Sequence, residues 1–242
     1  MTNLNEKTVF VAGGAGSVGE GIVRSLLQAG AIVITISRHQ EKLDALRDHL
    51  GDVVSDRLVT FTGDLGDFNS AETVKNQILS QQEHLDAVVA SLGSTWNADL
   101  PMTQVSMDDW QKYIFTNLTT HFVCAHTFLP MLANKRGSSY TLLGGAAAET
   151  VVPNYSLVGI PAAAQLMMAK ILMQEMKDSS VRINEVMINS LVNTRNSADH
   201  AQPQWITANE VGDYIAWLIS DEAYMVRSSV PYLQEQVRSA NT

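Results

Sequence analysis

"AGGAGSVGEG", residues 12–21, follows a short apolar run, "TVFVA", and passes directly into a patterned stretch, "GIVRSLLQAG". Gly14, Gly16 and Gly19 form G-x-G-x-x-G, and Gly13, Gly16 and Gly19 form G-x-x-G-x-x-G. Placed between a first strand and a first helix, this spacing has a physical purpose. Residues without side chains let the backbone turn tightly and approach a pyrophosphate. The ligand's charge then meets the free N–H groups and the positive end of the helix dipole. Gly13, Gly14, Ala15, Gly16, Ser17, Val18 and Gly19 are therefore expected to hold a dinucleotide. The alternative is a glycine-rich turn that binds nothing.

Outward from this loop, apolar β-branched runs alternate with helical patterns. Strands are expected at 8–13, 31–37, 57–64, 85–93, 139–145, 181–189 and near 229–233. Helices are expected at 18–30, 41–51, 70–82, near 106–134, near 160–177 and near 207–220. Strands that are apolar nearly throughout belong in a parallel sheet covered on both faces, with right-handed crossovers. The expected fold class is α/β: a single-domain, Rossmann-type, doubly wound sheet over residues 1–242, with no linker, repeat or charge block to divide it. Residues 192–206, "VNTRNSADHAQPQWI", show no periodicity and read as a long loop, a candidate lid.

The 242 residues are 45% hydrophobic and 17% charged, enough to bury a sizeable core. A net charge of -9 opposes nucleic-acid binding, which needs a basic face. The single Cys124 excludes an internal disulfide and a cysteine-rich zinc site, and the six histidines lack ligand spacing, so no metal is expected. No signal peptide and no run of about 18 apolar residues is visible, so a cytoplasmic protein with no membrane partner is expected.

The second strand ends in "ISRH". A carboxylate there would take the adenosine ribose of NAD, but Ser37 and Arg38 stand in its place, and a guanidinium can clamp a 2′-phosphate. NADP(H) is favoured over NAD(H); the alternative is a solvent-exposed arginine. Asp64, after the third strand, is placed to meet the adenine amino group or simply to cap a turn.

At this point the chain resembles the short-chain dehydrogenase/reductase family over nearly its whole length. "AGGAGSVG" is similar to the family's nucleotide loop, with Ala12 where threonine is usual. "GDL" at 63–65, including Asp64 and Leu65, resembles its adenine-site motif. "VVASLG" at 88–93 stands in place of its N-N-A-G turn, which brings in Ser91 and Gly93. "WQKYIFTNLTTHFVCAHTFLPML" at 110–132 resembles its long central helix, with Asn117 on the family's structural and catalytic asparagine. "VRINEVMINSLVNT" at 181–194 resembles the segment beside the nicotinamide, keeping Thr194 but carrying Asn189 and Ser190 for Pro-Gly.

The resemblance also implies a serine and a Y-x-x-x-K pair, in which lysine lowers the tyrosine pKa and tyrosine exchanges the proton. Tyr155 fails this pattern, because Gly159 lies four residues on. Pro161 is comfortable only in a helix's first turn. A helix starting near Ile160 leaves Tyr155 in the preceding loop. Alignment of 139–176 to the family then puts Val158 at the tyrosine position, Ala162 at the lysine position and Gly145 at the serine position. Lys170, two turns on, is expected to be a surface residue. Tyr155 and Asn117 remain the weak catalytic candidates, and Ser91, Trp96 and Asn189 are candidate cavity residues.

Tyr113, Asn117, His121 and Cys124 recur at helical spacing, a stripe expected in a subunit interface with Cys124 itself buried. Apolar faces carrying Phe122, Phe128, Met167, Met168, Ile171 and Leu172 imply, by the resemblance, a homodimer or homotetramer. Three functions stay open: an NADP(H)-dependent oxidoreductase acting on a small molecule with a different proton source, a dinucleotide-binding sensor or partner subunit, and a non-redox enzyme on the same scaffold.

Overall fold

A computed structural model describes residues 2–94 and 99–234; the expectation for Trp96 lies outside the described residues. Six strands alternate with helices in chain order: β1 (Thr8–Ala12), α1 (Gly19–Gln28), β2 (Ile32–Ser37), α2 (Gln40–Leu50), β3 (Leu58–Thr62), α3 (Phe68–Gln81), β4 (Ala87–Ala90), α4 (Met107–Ile114), α5 (Thr120–Leu132), β5 (Ser139–Gly145), α6 (Ser156–Glu175) and β6 (Arg182–Asn189). There follow β7 (Val192–Asn193), β8 (Ile206–Thr207), α7 (Ala208–Ile219) and β9 (Tyr232–Gln234). The main sheet is parallel throughout, in the order β3-β2-β1-β4-β5-β6-β9.

Alternation along β1 explains the two helical layers. Phe10 and Ala12 point to one core with Ile34, Val88, Leu142, Phe128 and Ala169, under α3, α5 and α6. Val9 and Val11 point to the other, with Val33, Val89, Val186, Leu26 and Ile215, under α1, α2 and α7. Every residue of β1 is buried, which is why the strand reads as continuously apolar. Helix starts are fixed by side chains: Asp67 with Ser70, and Thr207 with Glu210, form capping boxes on α3 and α7. At the other end of α7, the buried Arg182 guanidinium donates to the carbonyls of Leu218 (2.8 Å), Ile219 (2.9 Å) and Ala223 (2.9 Å). It thereby ties the start of β6 to the negative end of that helix.

Four expectations are corrected. Helix α6 begins at Ser156 with Tyr155 as its N-cap, not near Ile160, and Pro161 is its sixth residue. The proline leaves the Leu157 carbonyl without its normal i+4 donor, and the Asn117 Nδ2 donates to that carbonyl at 3.4 Å. The proline is tolerated because another element supplies the missing donor. The long central helix is split by a π turn, Phe115–Thr119, between α4 and α5. The stretch 192–206 is not loop throughout, since Val192 and Asn193 pair in parallel with Ile206 and Thr207.

Three of the four residues of the expected interface stripe, Asn117, His121 and Cys124, are buried within the chain instead, while Tyr113 is half-buried. The π turn rotates the register so that His121 and Cys124 are fully buried against the sheet, His121 Nε2 lying 3.2 Å from the Leu92 carbonyl. Burial pushes the His121 imidazole down to about 4 and the Cys124 thiol up to about 12, so neither titrates near neutrality. Phe128 is likewise core, packed 4.8 Å from Phe10 between ring centroids. Phe122, Met167 and Ile171 do face outward and are about half exposed.

Candidate functional site

The strands' carboxyl ends open into one groove made of two adjoining clefts. Both are lined by Gly16, Ser91, Leu92, Gly93 and Lys42. The first runs from Gly13, Ala15 and Gly16 to Ser37, Arg38, His39, Asp64 and Leu65. The second, a cavity of about 630 Å³, continues past Ser17, Val18 and Gly19 to Asn117, Gly144, Gly145, Val158, Ala162 and Gln165. This is the crevice at a topological switch point, between β1 and β4, where open α/β sheets bind ligands.

The glycines are explained by packing as well as by ligand approach. At Gly13, φ is +88°, and a Cβ would lie 2.1 Å from the Ser91 carbonyl oxygen. A Cβ on Gly19 would lie 2.1 Å from the Gly13 carbonyl oxygen. Gly14 does not face the groove: its missing Cβ makes room for the Thr35 hydroxyl and Val23. The N-cap of α1, Val18, makes no side-chain cap, and in the first turn the Glu20 N–H donates to the Gly16 carbonyl at 2.9 Å, so the helix offers the groove its positive end rather than a full set of free N–H groups.

At the end of β2, Arg38 and Lys42 are exposed and have no acidic partner among the described residues, whereas His39 pairs with Glu41 at 3.5 Å. Sequence reasoning missed Lys42. The available signal was its spacing: four residues beyond Arg38 and one turn into α2, it returns to the same cleft. Asp64 lines that cleft too, exposed after β3.

Across the phosphate loop lies the segment after β7. Arg195 Nη2 pairs with Glu20 Oε1 at 2.5 Å, and Asn196 Nδ2 donates to Ser17 Oγ at 2.7 Å. Glu20 is buried in the first turn of α1, and that burial raises its carboxyl above the ordinary value against the pull of Arg195, His49 and Arg24. Asn196 therefore reaches the groove and Arg195 a smaller cleft beside it over Ser17 and Lys42, whereas Thr194 folds into a local turn, its N–H donating to Ser197 Oγ at 2.9 Å. Asn189 is exposed at the end of β6.

In the second cleft, the Asn117 amide is committed at both ends. Its Oδ1 accepts from the Ser94 N–H at 2.6 Å while its Nδ2 reaches Leu157. Gly93 sits beside it at φ +122°, and a Cβ there would meet Oδ1 at 2.9 Å. Tyr155 is half-buried at the head of α6 and is not among the described residues lining either cleft. Lys170 is exposed on α6, as expected. Among the described residues, no cluster of histidine, cysteine or carboxylate side chains could hold a metal.

A seven-stranded parallel sheet with a glycine turn at its switch point defines a Rossmann-type nucleotide fold. Residues 7–204 match the family model described as short chain dehydrogenase, and the chain belongs to that family. It is 27% identical over 184 residues to an oxidoreductase of Sarocladium schorii, covering 76% of this chain and 72% of that one. It is 26% identical over 223 residues to a 3-oxoacyl-[acyl-carrier-protein] reductase of Chlamydia pneumoniae, covering 85% and 83%. A short-chain dehydrogenase/reductase from Brucella melitensis superposes with a TM-score of 0.84 at 22% identity, covering 97% of this chain and 98% of that one. The Pseudomonas aeruginosa RhlG/NADP active-site complex gives 0.83 at 20% identity, covering 97% of each chain.

Proposed function

We propose that this protein binds a nicotinamide dinucleotide, NADP(H) in preference to NAD(H), and does not perform ordinary tyrosine-dependent carbonyl reduction. The cofactor preference is supported by Arg38 and Lys42, two cations in one cleft with no acidic partner among the described residues, beside Ser37 where a ribose-binding carboxylate would stand. The NADP complex named for the Pseudomonas aeruginosa structure agrees with it.

One observation carries the reading of the chemistry. The family's serine, tyrosine and lysine positions align with Gly145, Val158 and Ala162, and all three line the same cavity. None can exchange or tune a proton, and the amide of Asn117, which lines the same cavity, is spent on structure. Bound dinucleotide would supply hydride chemistry. This chain's residues would orient it and shield it from water, leaving any proton to another source. The protein is thus oxidoreductase by descent. Among a slow reductase of unusual mechanism, a non-redox enzyme on the same scaffold and a dinucleotide sensor or partner subunit, the apolar wall favours the last.

Fluorescence titration should show NADPH binding more tightly than NADH. Binding of neither removes the cofactor reading. Reduction of simple ketones at ordinary rates, on the order of 10 s⁻¹, removes the reading of the wall.

A homodimer or homotetramer through the outward faces of α5 and α6 is part of this proposal. Phe122, Met167 and Ile171 border a shallow apolar depression there. Helix α6 is long and apolar enough by length and composition to cross a membrane. Its Leu157, Leu166, Ala169 and Met173 are buried in the core, which supports a helix packed within a soluble domain rather than a membrane span, and the protein is placed in the cytoplasm as part of this proposal.

A further inference from the structure

The wall of the second cleft contains one polar side chain that the dinucleotide reading does not use. Gln165, on α6, is only 5% exposed and borders the cavity one turn beyond Ala162. Its Nε2 donates to the Leu143 carbonyl at 2.7 Å and to Glu185 Oε1 at 3.2 Å. A backbone carbonyl can only accept, so the amide cannot be turned round: the nitrogen faces the sheet. Its oxygen makes no hydrogen bond among the described residues and is not enclosed by the protein, so it is the end left for the cavity.

This arrangement is built into the sheet rather than incidental. Glu185 on β6 is fully buried, and its carboxyl fits only because the neighbouring strand carries Gly144. A Cβ at Gly144 would lie 2.5 Å from Glu185 Oε1 and 2.6 Å from the Met187 sulfur. Whether or not the Glu185 carboxyl is ionised, Oε1 can accept from Gln165 and hold it in place. Around this oxygen, the β5 and α6 walls offer no competing side-chain donor: Gly145, Val158 and Ala162 have none, and Asn117 is engaged elsewhere.

We propose that Gln165 is a specificity residue: its amide oxygen, fixed by Leu143 and Glu185, selects a group that donates a hydrogen bond, an O–H or N–H, at the closed end of the groove. The cavity therefore receives an alcohol, amine or carboxamide there, and disfavours a bare ketone or aldehyde, which can only accept. This deepens the dinucleotide reading and rests on it. The donor has two possible sources, a separate small molecule or the carboxamide of the nicotinamide itself.

The test begins with NADPH titration of the wild-type protein, which checks the dinucleotide reading separately. The first arm uses pairs that cannot react, cyclohexanol with NADPH-saturated protein and cyclohexanone with NADP⁺-saturated protein, measured by calorimetry. One hydrogen bond predicts roughly fivefold tighter binding of the alcohol. The second arm compares NADP⁺ with its 3-acetylpyridine analogue, which lacks the amide N–H, and expects a similar preference for NADP⁺ if the carboxamide is the donor.

Gln165→Met should erase whichever preference is found. Because that change strands a buried carboxyl, the double variant Gln165→Met/Glu185→Met, which removes both side chains and leaves only the Leu143 carbonyl without its donor, should erase it as well in a folded protein. A preference in either arm that vanishes in the variants upholds the assignment and names the donor's source. Equal binding in both arms, no binding of either cyclohexyl probe together with equal dinucleotide affinities, or a preference that survives both variants overturns it. If NADPH fails to bind at all, the dinucleotide reading falls first, and this inference falls with it.

Discussion

Replacing Glu185 by glutamine should change how the protein's stability depends on pH. Burial pushes the Glu185 carboxyl up from 4.5 to about 7, helped by Glu149 and opposed by the Gln165 hydrogen bond and Lys170. Tyr232, on the adjoining strand, is raised chiefly by its hydrogen bond to Glu149 and feels Glu185 as well. Between pH 4.5 and about 7 the folded chain keeps a proton here that the unfolded chain has released. Stability therefore falls as pH rises through that window, and the loss is complete above its upper end. At 1.36 kcal/mol per unit, the separation corresponds to about 3 kcal/mol, with about 2 kcal/mol falling between pH 5.5 and 8. Glutamine keeps the shape and can still accept from Gln165 through its oxygen. Its amide nitrogen replaces Oε2, which has no partner, at a cost of about 1 kcal/mol or more that does not vary with pH. Urea unfolding at pH 5.5 and pH 8 should show the variant gaining about 2 kcal/mol on the wild type between the two conditions, with the slope m unchanged. Parallel pH dependence of the two proteins, to within about 0.5 kcal/mol, would refute the claim that this carboxyl is held neutral by burial.

The remaining predictions concern other contacts. Arg38→Ala and Lys42→Ala should each weaken NADPH about tenfold while leaving NADH nearly unchanged in the same titration; equal losses for both nucleotides would remove the 2′-phosphate assignment. Arg182→Met should cost about 3 kcal/mol by leaving the carbonyls at the end of α7 without their donor, a drop in Tm of roughly 9 °C by calorimetry. Asn117→Leu should cost about 3 kcal/mol, since the Ser94 N–H and the Leu157 carbonyl both lose their partner, and should weaken dinucleotide binding by loosening the Gly93 turn; a neutral urea midpoint would contradict the bridging role.

The sheet was legible because each central strand is buried on both faces and so carries uninterrupted apolar runs. The glycine turn was legible because Gly13 and Gly19 meet backbone atoms that no side chain could tolerate. The start of α6 lies upstream of where Pro161 alone would put it, for a definite reason. The rule against interior proline counts the hydrogen bond lost within the helix, and cannot know that Asn117, forty residues upstream, supplies a replacement. The burial of Asn117 and His121 is not legible in the helical spacing because a π turn is invisible to a 3.6-residue period. In "VRINEVMIN", Glu185 is one acidic residue in an apolar run and reads as a strand residue facing water. Its significance depends on Gly144 in the next strand and Gln165 on the covering helix, a coincidence of three elements far apart in sequence.

The single amide of Asn117 reaches the turn after β4 with one atom and the head of α6 with the other. The floor beneath a bound dinucleotide and the wall facing its reactive end are thus fastened to the same short segment of chain. Neither can slide along its axis without pulling on the other. A ligand that pressed Val158 or Ala162 aside would be felt at Gly93, so occupancy of the closed end of the groove and the grip on the dinucleotide should vary together, even in a protein that transfers nothing between them.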